Sequence, residues 1–268
     1  MIGRGRLIAL GAVAFVATLL MQAPAATLYG WFAPKDGATQ LLGIEGSVGE
    51  GRLAGIVSGG RPLLRDLHWR LQPAWLLLGR ASFHVDTGTP LALQGRIGLS
   101  PFAVHIGNAH LTGGLKPLFG AAGLAYLPID GVVDGDIDSL TLKHGRPTSA
   151  KATLQLRGLN WALAKPALQL GDFRADISND GATIVAKIQS TSGPIDADGL
   201  AHLNANGSYD SDIRLRAKAN ADEMTQNLLH SVGQPDAQGY YHARTRGQLA
   251  GATPSAGAPP PPANPAAD

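Results

Sequence analysis

After Gly37 the sequence is dominated by a period of two. Leu67, Trp69 and Leu71 alternate with Asp66, His68, Arg70 and Gln72, and Ala81, Phe83 and Val85 alternate with Arg80, Ser82, His84 and Asp86. Successive side chains of a strand point to opposite faces, so each run predicts a strand with one apolar and one wet face. The rule recurs at Leu91–Leu99, Phe102–Ile106, Ala150–Leu156, Phe173–Ile177, Ile184–Ile188, Ile213–Ala217 and Tyr241–Leu249. Turn formers such as Thr87-Gly88, Asp180-Gly181 and Asn206-Gly207 stand between the runs, as hairpins require. The body therefore reads as mainly β, a twisted or curved antiparallel meander.

Helical spacing occurs over Leu115–Leu127 and Asp222–Val232 only. The second stretch offers Asn220 and Asp222 as caps, Met224, Leu228, Leu229 and Val232 as an apolar stripe, and Gly233 beyond its end, where helices favour a left-handed residue. A spaced set, Trp69, Leu71, Pro73, Leu76, Leu78 and Gly79, resembles the later set Trp161, Leu163, Pro166, Leu168, Leu170 and Gly171. Each is followed downstream by a helix, a Pro, a Gly and a strand. This divides the body, residues 38–250, into repeated halves at 38–147 and 148–250.

The two ends differ from the body. Arg4 and Arg6, within residues 1–6, precede an apolar run that includes Leu7, Leu10, Val13, Phe15, Leu19 and Leu20 and continues through the alanines after Met21. Two readings fit: a membrane-spanning helix over 7–28, or a signal peptide cleaved near Ala23-Pro24-Ala25-Ala26. Pro24 and the aromatic residues Tyr29, Trp31 and Phe32 favour the anchor, and the leading arginines place its N-terminus in the cytoplasm. Either reading exports the body, in a bacterium to the periplasm. At the other end, residues 251–268 hold six of the 18 prolines and a single charge, a composition expected of a disordered, partly polyproline tail.

Chemistry is sparse. The chain of 268 residues has no Cys, which removes disulfides, thiol catalysis and thiolate metal sites. Charged residues make up 16%, against roughly 25% in ordinary soluble domains. The net charge is +2 with no basic stripe interleaved with aromatics, so nucleic acid is not an expected partner. His105 and His110 are five apart and would face opposite ways on a continuous strand, which makes them surface histidines rather than ligands. Asp134, Asp136 and Asp138 fit the early positions of a calcium loop, but Ser139 stands where Gly is needed and Gly145 where a Glu is needed. With Asp130 they read as a solvated strand face or as carboxylates blunting a sheet edge. No nucleotide-binding glycine loop, zinc helix or nucleophile elbow occurs. The expectation is a protein that is not an enzyme and holds no cofactor or metal.

The layout resembles a known family. A short basic N-terminus and an apolar span are followed by Ile44-Glu45-Gly46-Ser47-Val48-Gly49-Glu50-Gly51-Arg52-Leu53 and Trp69-Arg70-Leu71-Gln72-Pro73-Ala74-Trp75-Leu76-Leu77-Leu78-Gly79. Leu228-Leu229-His230-Ser231-Val232-Gly233-Gln234-Pro235, Gly239-Tyr240-Tyr241 and Gly247-Gln248-Leu249 close the chain. Together these resemble the type II secretion system protein N family, although Gly46–Gly51 lacks the Trp of that family's G-T-L-W-x-G element. The resemblance implies a single-pass inner-membrane accessory subunit of the machine that exports folded proteins. It also implies the secretin and the inner-membrane platform as partners, with Trp69, Trp75, Trp161, Pro73 and Gly79 as candidate structural or interaction residues. The repeated one-faced sheet is similar also to AsmA-like lipid-transfer proteins, which would imply a hydrophobic groove for lipid. A groove of that kind keeps its Leu, Ile, Val and Phe accessible, whereas a packed domain buries them.

Overall fold

The computed structural model describes residues 21–32, 39–58, 61–73, 80–100, 102–121, 128–219 and 221–248. Thirteen strands follow one another: β1 (Thr39–Gly46), β2 (Glu50–Ser58), β3 (Arg61–Leu71), β4 (Ala81–Asp86), β5 (Leu91–Ser100), β6 (Ala103–Gly114), β7 (Ile129–Lys143), β8 (Arg146–Trp161), β9 (Leu168–Asp180), β10 (Thr183–Ser192), β11 (Ile195–Leu203), β12 (Ser208–Ala217) and β13 (Tyr241–Gln248). Among the described residues three short helices punctuate them: α1 (Ala25–Phe32), α2 (Leu115–Ala121) and α3 (Glu223–His230). The strands form one open sheet whose spatial order is the chain order. Every neighbouring pair is antiparallel, as the period of two and the intervening turns require.

Register sorts the residues into two faces. One row runs Leu71, Phe83, Ile97, Ile106, Leu140, Ala150 from β3 to β8. A second runs Leu154, Ala175, Ile188, Gly199, Ile213, Ala243 from β8 to β13. On the other face Glu45, Arg52, His68, Asp86, Gln94, His110, Asp136, Thr153, Asp176 and Lys187 stand side by side from β1 to β10. The sheet is thus apolar on one side and charged on the other.

Among the described residues, helices cover the apolar side only locally. Leu115 of α2 packs on Val133 and Leu159 to make the core, with Leu118, Phe119, Ile129, Leu156 and Phe173 around it. In α3, Asp222 caps the N-terminus by accepting from the Thr225 amide at 2.7 Å, and Leu229 is 2% exposed. The expected stripe of that helix is narrower than its sequence implies, because Met224 and Val232 are exposed. Its C-cap is Ser231, and Gly233 has φ +155°, away from the left-handed helical region.

Three expectations need revision, and two others fall outside the described residues. Residues 1–20, which hold the anchor positions Leu7 to Leu20, lie outside the described residues, as does the tail. Among the described residues no helix is long and apolar enough to cross a membrane. The end of the proposed span is not one continuous helix: Pro24 pairs with Ser47, and the carbonyls of Met21 and Ala23 accept from the Gly49 and Val48 amides, so the chain breaks before α1. His105 and His110 share a face, because Asn108 (φ +48°) is an extra residue opposite β5 and resets the alternation. The four aspartates of β7 blunt no edge, since that strand lies mid-sheet. They face Lys116, Arg157, His110 and Lys151 instead.

Residues 147 and 148 both fall within β8, where the sheet runs unbroken. The Trp-led motifs end β3 and β8 respectively. Three strands separate β3 from α2 and four separate β8 from α3, so the two stretches differ by one strand.

Candidate functional site

Among the described residues, the apolar side stays open where the helices end. Leu67, Trp69, Phe83, Val85, Ile97 and Leu99 form a groove of about 370 Å³ on β3, β4 and β5, with Val48 and Ala25 at its end. All come from the alternating phase that faces away from the charges. Leu99 is 42% exposed, and only Val85 among the six is buried.

Trp69 is held in place. Its Nε1–H donates to the Ser47 carbonyl at 3.1 Å. A Cβ on Gly51, its cross-strand neighbour, would collide with the indole. Glycine is therefore the residue that lets the ring lie flat across β2, a close approach of the kind strand glycines often mark. Ser47 also receives the Pro24 bridge, so the segment before α1 and the Trp69 ring meet at one hairpin turn.

The charged side is a lattice of cross-strand pairs. Arg52 meets Glu45 at 2.8 Å, Arg70 meets Glu50 at 2.7 Å, Arg216 meets Asp196 at 3.1 Å and Arg214 bonds Asp198. The Arg52 guanidinium holds the Glu45 carboxyl below its ordinary range, and Arg174 does the same for Asp176. These pairs are solvent-exposed and individually weak. At the β12–β13 end, His242 sits between Asp212 and Asp236, 3.1 Å from each, and both raise its pKa. Arg216 lies over the Tyr240 ring at 4.4 Å. Among the described residues no group of His, Asp and Glu is placed to hold a metal ion.

The residues singled out in the sequence are dispersed. Trp69 lies in the groove, while Trp161 is half-buried at the end of β8 opposite Ile129 and Leu168. Pro73 is exposed just beyond β3, and Trp75 and Gly79 lie outside the described residues. Phe83, Val85, Ile97 and Leu99 were not named as site residues. Their signal was the alternation itself, together with the absence of a helical pattern near enough to cover them.

A family model described as type II secretion system (T2SS), protein N, matches residues 37–244. The chain belongs to the type II secretion system protein N family. No curated protein and no solved structure matches the chain. The protein N match begins just before β1 and ends inside β13, so the two-faced sheet is the family's own domain. Membership ties the chain to type II secretion and to association with other secretion subunits in general.

Proposed function

We propose that this protein N chain is a non-enzymatic, structural accessory subunit of the type II secretion machinery. In this reading the N-terminal apolar run that begins at Leu7 tethers it to the inner membrane with the N-terminus in the cytoplasm. The sheet stands in the periplasm and contacts the secretin, the inner-membrane platform, or both. The observation that carries the reading is the family match from β1 into β13. The charged lattice fits a role in contact rather than catalysis, since its carboxylates are engaged by arginines and histidines. Photo-crosslinkers replacing Trp69 or Trp161 in intact membranes should capture a secretion subunit, and deletion of the gene should reduce export of folded substrates. Capture of none, with export unchanged, overturns the proposal.

A second reading rests on the open groove. A domain whose only task is to be rigid gains by covering Phe83, Ile97 and Leu99, at roughly 25 cal/mol for each Å² removed from water. Leaving them accessible favours an apolar ligand such as a lipid acyl chain. Mass spectrometry of the purified full chain should then find phospholipid or lipopolysaccharide in stoichiometric amount, and Phe83→Asp should release it.

A further inference from the structure

We propose that the charged side of the sheet carries an oxyanion site on β4, β5 and β6, built to take a phosphate group. It goes beyond the functions above and does not depend on the groove, which opens on the opposite face and shares only Leu99 with it. Arg80, Ser82, Arg96, Gly98, His105 and Gly107 line a notch of about 170 Å³. That is room for a group of several heavy atoms, given about 30 Å³ for one water.

The first support is charge. Elsewhere on this face several arginines meet carboxylates: Arg52 with Glu45, Arg174 with Asp176, Arg244 with Asp212. The notch has no carboxylate in its lining. Arg80 and Arg96 make no ion pair with a described residue, and the residue across from Arg96 on β4 is His84 rather than an acid. Two arginines lining one notch without a carboxylate create a local positive potential that an anion relieves. Their planar forks suit the several oxygens and double charge of a phosphate better than a single carboxylate.

The second support is the floor. Register sets Arg96 opposite Gly107 and Gly98 opposite His105, so the glycines occupy one diagonal of a four-residue block and the two basic residues the other. Neither glycine has a positive φ. A Cβ on Gly98 would come no closer than 3.7 Å to His105, and one on Gly107 no closer than 3.5 Å to the Asp138 carbonyl. Gly95, by contrast, lies against Ala109 with no room for a side chain. Glycine weakens a strand, and at positions 98 and 107 neither backbone nor packing demands it. Its effect there is to leave the notch open.

The third support is aim. The extra residue Asn108, itself in the notch lining, keeps the β6 histidines on the charged face. His105 Nδ1 lies 3.1 Å from the Thr141 hydroxyl. With that hydroxyl donating to Nδ1, the proton sits on Nε2, which becomes a donor for the notch. Ser82 is buried, and its hydroxyl makes no hydrogen bond with a described residue, so it supplies another donor.

The test uses the purified full chain at low ionic strength, with equilibrium dialysis of radiolabelled orthophosphate and titration with monomeric dioctanoylphosphatidylglycerol. Saturable binding of either probe is expected. Arg80→Gln and Arg96→Gln should each weaken it about tenfold, the size of one charge-assisted hydrogen bond. Gly98→Val should block it. Arg246→Gln, which makes the same charge change on exposed β13, should leave it unaltered, and circular dichroism should show all four variants folded. Binding of the lipid alone identifies a headgroup as the source, and binding of orthophosphate identifies free phosphate. The proposal is overturned if neither probe saturates, if acetate competes as well as phosphate, or if Arg246→Gln weakens binding as much as Arg96→Gln.

Discussion

His242 shows how single side chains lock the last strand to the rest of the sheet. Its ring bridges Asp212 on β12 and Asp236 in the turn before β13, and Asp212 also receives Arg244 at 2.8 Å. The imidazole is raised above its ordinary 6.5, chiefly by Asp212, then by Asp236. Asp212 is lowered from 3.8, chiefly by His242, and Asp236 chiefly by the Tyr240 amide. A raised group stabilises the fold fully below its unfolded value and loses that contribution as pH climbs through the folded value. The lowered carboxylates contribute above 3.8 and lose their contribution as pH falls through their folded values. The clamp should therefore act most strongly in mildly acidic solution. Thermal midpoints of the wild type and His242→Gln should be furthest apart near pH 5.5 and converge toward pH 8.5; a gap that does not change with pH sinks the electrostatic account.

At the scale of elements, the strongest dependence is on α2. Leu115 is 4% exposed and seals Val133, which is 1% exposed, so Leu115→Ala should cost about 2–5 kcal/mol by the usual loss for a buried leucine. A fall in the urea midpoint at unchanged slope checks this. Most strands were legible from alternation where the inward residues were large, as at Leu67–Leu71 and Ile184–Ile188. β11 was not read, because its inward residues include Ala197, Gly199 and Ala201, too small to register as an apolar phase. The β7–β8 turn was also missed: His144 (φ +50°) and Gly145 (φ +75°) form a two-residue hairpin whose first residue is not a usual turn former. The bulge at Asn108 was invisible for a similar reason. One extra residue leaves each half of β6 alternating correctly and changes only their relation. The groove could be read as a row of residues but not as a site, since which apolar stretch a helix covers is decided in three dimensions.

The described residues form a single layer with helices at a few places rather than a sandwich. Its apolar side is therefore half-exposed over a long distance, and a hydrophobic dye such as anilinonaphthalene sulfonate should bind the native chain. Phe83→Asp should lower that fluorescence with a smaller loss of stability than Leu115→Ala, because the Phe83 side chain is only partly buried. Equal fluorescence in the variant would mean that the dye reports some other surface. At one margin, Arg244 and Arg246 on β13 discourage pairing with another chain. At the other, residues 21–24 bond the turn that ends β1. Strand order equal to chain order also governs how such a sheet comes into being. Each strand finds its partner immediately before it in the chain, so loop closures are short and their entropic barriers small. A polypeptide emerging N-terminus first can add one hairpin at a time to an existing edge, and no early strand has to wait unpaired for a distant mate.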